Sequence, residues 1–125
     1  MKVAIPHHNG EVTPCFEYTA GITIFLVRKK KVIAQTDFVL QSKEELDRVR
    51  LLRDQGVTVL ICSGIQDAHE GLLQASGIRV ISWVSGKVNE VLRLFLQNKL
   101  VPGSARLGMQ GDDSATASEE GITDS

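Results

Sequence analysis

The stretch that decides the fold is residues 57–84, VTVLICSGIQDAHEGLLQASGIRVISWV. Both of its ends, Val57 to Cys62 and Ile78 to Val84, are almost continuously apolar, as expected of strands that are covered on both faces of a sheet. The segment between them, Gln66 to Ser76, has apolar residues at helical spacing and is closed by Gly77. A strand, a helix and a strand in this order predict two parallel strands joined by a right-handed crossover.

The segments on either side of this unit complete the predicted sheet. Ser42 and Glu45 have the spacing of a capping box, so we expect a helix to begin at Ser42 and to stop at Gly56. Asn9-Gly10 is typical of a tight turn, whereas Lys29 to Lys31 form a turn without the glycine that would define its type. The remaining elements are strands over Lys2 to Pro6, Ile22 to Arg28 and Val32 to Leu40, and a third helix after Ser85-Gly86 that carries Val88, Val91, Leu92, Phe95 and Leu96 on one stripe.

This order of elements predicts one α/β domain. The short links between the first three strands favour antiparallel pairing, while the later strands alternate with helices and are expected to be parallel. We therefore predict a ribonuclease H-like fold, a mixed five-stranded sheet with about three helices on its faces. A flavodoxin-like sheet is disfavoured because no helix separates the first three strands.

Charge and apolar runs exclude several classes of protein. The chain has 125 residues, with 14 Lys and Arg against 15 Asp and Glu, and lacks the basic excess of a dedicated nucleic-acid-binding protein. Its longest apolar runs have about six residues, whereas a membrane-spanning helix needs roughly 20. The first residues show no signal peptide, and two cysteines do not make a disulfide framework. We expect a soluble, cytoplasmic protein that binds neither nucleic acid nor membrane.

The near-neutral charge is a cancellation between two parts of the chain. Residues 1–102 contain 13 basic and 10 acidic residues, for a net charge of +3, while residues 103–125 contain 1 and 5, for a net charge of −4. The second part is rich in Gly and Ser, and its apolar residues have no period. We predict a folded domain over 1–102 and a flexible acidic tail over 103–125, whose alternative role is to bind a partner or cover the domain.

Three segments are expected to meet at one end of the sheet. Ligand crevices of open α/β sheets lie beyond the carboxyl ends of the parallel strands. Residues 7–20, 62–65 and 84–87 follow strands that end there, so both cysteines, Cys15 and Cys62, and both neighbouring histidines, His7 and His8, belong to this end. The start of the helix after Ser63-Gly64 would bind anions and lower the pKa of the Cys62 thiol.

Each of these residues also has an ordinary structural interpretation. Cys62 can be a packed core thiol. His7 and His8 face opposite sides of an extended strand and can be a surface pair beside the Asn9-Gly10 turn. For His69, which lies near Asp67 and Glu70, we favour a solvated helix start over a carboxylate site.

The predicted fold raises the possibility of a nuclease, which the strand sequences exclude. Two-metal phosphoryl transfer needs several carboxylates around the metal ions, about 4 Å apart. Neither Lys2 to Pro6 nor Val57 to Cys62 contains an Asp or Glu. Because fold does not imply function, we predict a protein that is not an enzyme.

Several segments carry a family resemblance that spans nearly all of residues 1–102. They are Lys2 to Pro6, Val12 to Glu17, Leu60 to Ile65, Ser76 to Val80, Gly86 to Leu92 and Leu96 to Leu100. In their order and spacing they resemble the dinitrogenase iron–molybdenum cofactor biosynthesis family, small ribonuclease H-like domains related to carriers and chaperones of metal–sulfur clusters. Many members have Ser-x-His-Phe-Gly-Arg after the first strand. Here Thr13 to Tyr18 takes that place, with Cys15 where the histidine would fall and no arginine after it.

The resemblance implies a non-enzymatic protein that binds an iron–molybdenum–sulfur cluster or its precursor and exchanges it with donor and acceptor proteins. The implied metal ligands are Cys15, Cys62 and one of His7 and His8, since soft thiolates suit such metals. The implied backbone N–H donors are those of Ser63, Gly64, Ser85 and Gly86. The alternative is a metal-free regulatory or protein-interaction domain with the same fold.

Overall fold

The computed structural model describes residues 1–103. Within this range, strands β1 to β6 are Lys2–His8, Glu11–Val12, Gly21–Arg28, Lys31–Val39, Val59–Ile61 and Arg79–Ile81, and helices α1 to α3 are Leu46–Asp54, Asp67–Ala75 and Val88–Leu96. One turn of 3-10 helix covers Phe16–Tyr18. All but the first residue of the predicted acidic tail lie outside the described residues.

The sheet has the predicted mixed topology. Its strand order is β4-β3-β1-β5-β6. β1 pairs antiparallel with β3, and β3 with β4, while β5 is parallel to both β1 and β6. The two crossovers through α2 and through the segment containing α1 account for the parallel strands, since parallel neighbours cannot be joined by a tight turn. The expected ribonuclease H-like arrangement is confirmed.

Alternation along the strands divides the core into two layers. Val3 and Ile5 of β1 point into a cluster that packs against Val91 of α3. Ala4, between them, points to the other face, into a cluster with Leu52 of α1 and Leu73 of α2. Successive side chains of a strand face opposite sides, so odd-numbered positions of β1 face α3 and even-numbered positions face α1 and α2.

Two local expectations are corrected. The sheet has six strands and not five, because Glu11–Val12 folds back onto His7 and His8 through the Asn9-Gly10 turn. Helix α1 begins at Leu46 and not at Ser42. The Ser42 hydroxyl accepts a hydrogen bond from the Glu44 N–H, and the buried Arg48 guanidinium binds the carbonyls of Ser42 and Glu44. These bonds hold residues 42–44 in an irregular turn.

The β3–β4 hairpin turn is tighter than the three lysines suggested. Only Lys29 and Lys30 form it, because Lys31 already pairs with Arg28. Both turn residues have positive φ, 53° and 62°. Two-residue hairpin loops need this conformation, which Asn and Gly adopt far more easily than residues with long side chains.

We predict that replacing the turn by Asn-Gly stabilises the domain. The double substitution Lys29→Asn and Lys30→Gly removes backbone strain, and the free energy of unfolding rises by about 1 kcal/mol. Urea unfolding followed by circular dichroism measures this change. Lys31→Gly is the matched control, since it places glycine in a strand and is expected to destabilise; a destabilised Asn-Gly variant would show that the turn is not strained.

Candidate functional site

Backbone hydrogen bonds join the three segments that were predicted to meet at one end of the sheet. The Phe16 N–H donates to the Gly64 carbonyl at 2.9 Å, and the Gly64 N–H donates to the Pro14 carbonyl at 2.8 Å. The Trp83 N–H donates to the Ser63 carbonyl at 2.9 Å, and the Val12 N–H to the Gly86 carbonyl, also at 2.9 Å. The predicted convergence of these loops is therefore confirmed.

Gly64 is the point at which two of these segments come closest. Its two backbone hydrogen bonds make a parallel bridge with Cys15. A Cβ atom on residue 64 would lie 2.7 Å from the Pro14 carbonyl oxygen and 3.6 Å from the Trp83 ring. Only glycine fits at this distance from another backbone, so Gly64 fixes where Cys15 sits. Trp83 itself has a φ of 61°, which is rare for an aromatic residue.

Cys15 presents a partly exposed thiol beside this bridge. Its side chain is half-buried and donates a hydrogen bond to Glu17 Oε1 at 3.2 Å. Burial is the main cause that raises the pKa of the Cys15 thiol, and the bond to Glu17 adds to it. The thiol is therefore held in its protonated form near neutral pH, and a metal must displace that proton to bind sulfur.

Cys62 is packed in the core. It is 0% exposed and belongs to the apolar cluster under α1 and α2. Burial raises the pKa of the Cys62 thiol far above its ordinary range, with further contributions from Glu70 and Glu17. The expectation that the start of α2 lowers this pKa is wrong, because loss of solvation outweighs the helix dipole.

The two histidines lie on opposite sides of the sheet, as predicted. His7 is at an odd position of β1 and shares the α3 face, whereas Cys62 contributes to the other face. The His7 Nε2 atom is 2.7 Å from the Thr23 hydroxyl, which donates its one proton to Asp37 at 2.5 Å. His7 therefore donates through Nε2, which leaves Nδ1 as the nitrogen that can bind a metal. His8 is exposed, and its Nε2 atom is 3.2 Å from the Asn9 amide nitrogen.

The predicted backbone donors differ in availability. Ser63 and Gly64 are buried, and the Gly64 N–H is already bonded to Pro14. Ser85 and Gly86 are exposed. Among residues 1–103, no three or more His, Cys, Asp and Glu side chains are arranged to hold a metal ion. The proposed ligands are therefore near one end of the sheet but do not form a finished coordination site.

Sequence reasoning missed a buried polar group that supports Cys15. Glu17 is 1% exposed, and its Oε2 atom accepts the Gln66 N–H at 2.8 Å at the start of α2. The position where an external anion was expected is thus taken by the protein's own carboxylate. An acidic residue two positions after Cys15 was visible in the sequence, but nothing in its spacing indicated burial.

His69 lies against the same carboxylate and is not part of a solvated helix start. It is 6% exposed, with Nδ1 3.2 Å from Glu17 Oε2 and Nε2 3.7 Å from Glu45 Oε1. The distance between Nδ1 and Glu17 Oε2 is short enough for an ion pair, but the angle between the groups is not that of a hydrogen bond. Nδ1 is therefore buried without a hydrogen-bond partner. The expectation that His69 is solvated is wrong because α2 turns this residue toward Glu17.

The sequence of the folded domain matches the family described as dinitrogenase iron-molybdenum cofactor over residues 1–98. The chain belongs to this family. No curated protein matches the sequence. The family assignment agrees with the observed fold, in which residues 2–96 contain every described helix and strand.

Solved structures of similar proteins share this fold. The protein PH0822 is 22% identical, with a TM-score of 0.77 over 82% of this chain and 94% of its own. The apo form of the orange protein from Desulfovibrio gigas is 20% identical, with a TM-score of 0.69 over 81% and 91%. A protein of Methanocaldococcus jannaschii described as a candidate dinitrogenase is 20% identical, with a TM-score of 0.68 over 81% and 92%. At these identities the likeness establishes the fold.

We predict that Glu17→Gln makes Cys15 more reactive. The amide keeps the shape of the side chain but removes the carboxylate that helps to raise the Cys15 pKa, so more thiolate is present at neutral pH. Alkylation by iodoacetamide, followed by peptide mass spectrometry, is expected to become a few-fold faster at Cys15 while Cys62 stays unmodified. Glu44→Gln, which removes an exposed carboxylate, is the control. An unchanged rate in Glu17→Gln would mean that Glu17 does not restrain the thiol.

Proposed function

We propose that this chain is a non-enzymatic carrier that binds an iron–molybdenum–sulfur cluster, or a precursor of one, as its cargo. The observation that carries the proposal is the family match over residues 1–98, which contain every described helix and strand. The half-buried Cys15 thiol beside Gly64 supports it, since a soft sulfur donor at the end of the sheet is the side chain best suited to metal sulfides. A cytoplasmic location fits two free cysteines.

In this proposal, Cys15 is the first protein ligand to meet the cargo. The Cys15 thiol is partly exposed, whereas Cys62 is buried directly after β5. Cys62 can therefore contact the cargo only if the end of β5 moves. His8 is exposed on the Cys62 face of β1, and His7 offers Nδ1 from the other face. So sparse a ligand set suits a cluster that arrives already assembled and carries its own sulfide ligands.

The positive charge of the domain favours such cargo. Residues 1–102 have a net charge of +3. A thiomolybdate or an iron–sulfur cluster is anionic, so the field of the domain attracts it from solution. The exposed loop at Ser85 and Gly86 offers backbone next to the segment that carries Cys15, because Val12 bonds to Gly86. Proteins that supply or receive the cluster are the partners expected from this role.

A second candidate is a metal-free regulatory or protein-interaction domain of the same family. The observation that favours it is the absence, within the described part of the chain, of three side chains arranged to hold a metal ion. In this case the Cys15–Glu17 contact serves only to hold the loop against α2.

Anaerobic reconstitution distinguishes the two candidates. Purified protein is incubated with an iron–molybdenum–sulfur cluster that has been assembled beforehand from ferrous iron, sulfide and molybdate. It is then desalted and analysed for iron and molybdenum. The carrier role predicts that the wild type retains iron and molybdenum with visible absorption. The Cys15→Ser variant is expected to lose most of both, because serine is a poor ligand for these metals.

Two controls make the result specific. Cys62→Ala removes the buried thiol, and His8→Gln removes the exposed imidazole, so each reports whether that side chain is a ligand. Circular dichroism shows whether each variant is folded. Colourless, metal-free wild type under these conditions would exclude the carrier role and favour the metal-free domain. A Cys15→Ser variant that retains as much metal as the wild type would exclude Cys15 as a ligand of the cargo.

A further inference from the structure

A hollow lies at the end of the sheet opposite Cys15. Its volume is about 380 Å³, and it is lined by Met1, Val27, Arg28, Lys29, Lys30, Phe95, Leu96 and Asn98. Met1 precedes the first residue of β1 and its carbonyl accepts the Val27 N–H. His7 and His8 end the same strand, about 20 Å away at the usual rise per residue. The hollow is therefore separate from the proposed cargo site.

The walls and rim of this hollow differ in chemistry. Met1, Val27, Phe95 and Leu96 supply an apolar wall between the β3–β4 hairpin and the last turn of α3. Arg28, Lys29 and Lys30 are exposed residues that also line it, and none of the eight lining residues is acidic. An apolar recess with cations on one side is complementary to a molecule that has an apolar body and a negative end.

The turn that carries two of these cations is unusual in its own right. Lys29 and Lys30 both hold a left-handed backbone conformation that Asn-Gly adopts at lower cost. The chain does use Asn-Gly at its other two-residue turn, Asn9-Gly10. The lysines therefore occupy positions where stability alone favours smaller residues, as is common for positions that bind a ligand.

We propose that this hollow binds a small amphipathic anion with a single alkyl chain. The chain packs against Phe95, Leu96 and Val27, and the anionic head group meets Lys29 and Lys30. Pockets for small ligands commonly have volumes of about 300–1,000 Å³, and this one lies at the low end, which suits one chain and not a multi-chain lipid.

Calorimetric titration with a matched set of ligands tests the proposal on the full chain. Decanoate has both features, butanoate has the charge without the chain, and decyltrimethylammonium has the chain with the opposite charge. All three are used below the concentrations at which they form micelles. Decanoate is expected to bind at one site, and the other two about tenfold or more weakly, a difference of about 1.4 kcal/mol.

Two double variants locate the site. Lys29→Gln with Lys30→Gln removes both charges but keeps a flexible polar side chain, one atom shorter, and a Cβ at both turn positions. It is expected to weaken decanoate binding about tenfold. Lys31→Gln with Lys43→Gln removes the same charge from exposed residues that do not line the hollow, and should bind like the wild type. Nuclear magnetic resonance shifts are expected at Phe95 and Leu96 in the wild type.

Four outcomes would overturn the proposal. Equal binding of decyltrimethylammonium shows that the charge is irrelevant, and equal weakening in the two double variants shows that the charge acts only from a distance. Decanoate shifts confined to other residues place the ligand elsewhere. A titration with decanoate that gives no measurable heat below its micelle concentration shows that the hollow does not take such an anion. None of these results bears on metal retention, so the carrier role is tested independently.

Discussion

The pairing of residues 14–16 with Gly64 is the contact on which the site depends. Two backbone hydrogen bonds fix the segment after β2 against the loop after β5, and the missing side chain of Gly64 lets the backbones approach. Glu17 then reaches the start of α2 and accepts the Gln66 N–H while it holds the Cys15 thiol. The close backbone contact at Gly64 therefore sets the position of the Cys15 thiol and brings Glu17, which accepts its proton in a hydrogen bond, beside it.

The division of the sheet into two faces limits what the site can bind. Side chains of adjacent residues in β1 point in opposite directions, so His7 faces α3 while the buried Cys62 lies under α1 and α2. A single metal ion held by both would need the strand ends to rearrange. A cluster that brings its own sulfide ligands can instead attach through the accessible Cys15 and be surrounded by the exposed loops. The carrier role proposed above therefore calls for a cluster that is already assembled when it reaches the protein.

The regular spacing of apolar residues predicted the fold, whereas the side-chain contacts between distant segments were not predicted. The strand within residues 57–62 and the helix after it form because their apolar residues are buried. The spacing of apolar residues in the sequence indicates such burial well. The start of α1 was placed too early because the Arg48 guanidinium takes the carbonyls of Ser42 and Glu44. The same guanidinium is held by the carbonyl of the distant Thr19, a long-range contact that no local pattern encodes. Glu17 and His69 were missed for the same reason, since their burial depends on which segments meet at Gly64. Both cysteines were placed at the correct end of the sheet, but only the structure separates the accessible thiol from the packed one.

The central claim is that the Cys15 sulfur bonds directly to the metal of the cargo. Selenium X-ray absorption tests it most directly, with selenocysteine substituted at Cys15 and the protein loaded anaerobically with a cluster assembled beforehand from ferrous iron, sulfide and molybdate. We predict scattering from a neighbouring iron or molybdenum atom at bonding distance from selenium. A selenium atom whose only bonded neighbour is carbon, in a sample that has retained the metals, would contradict the account.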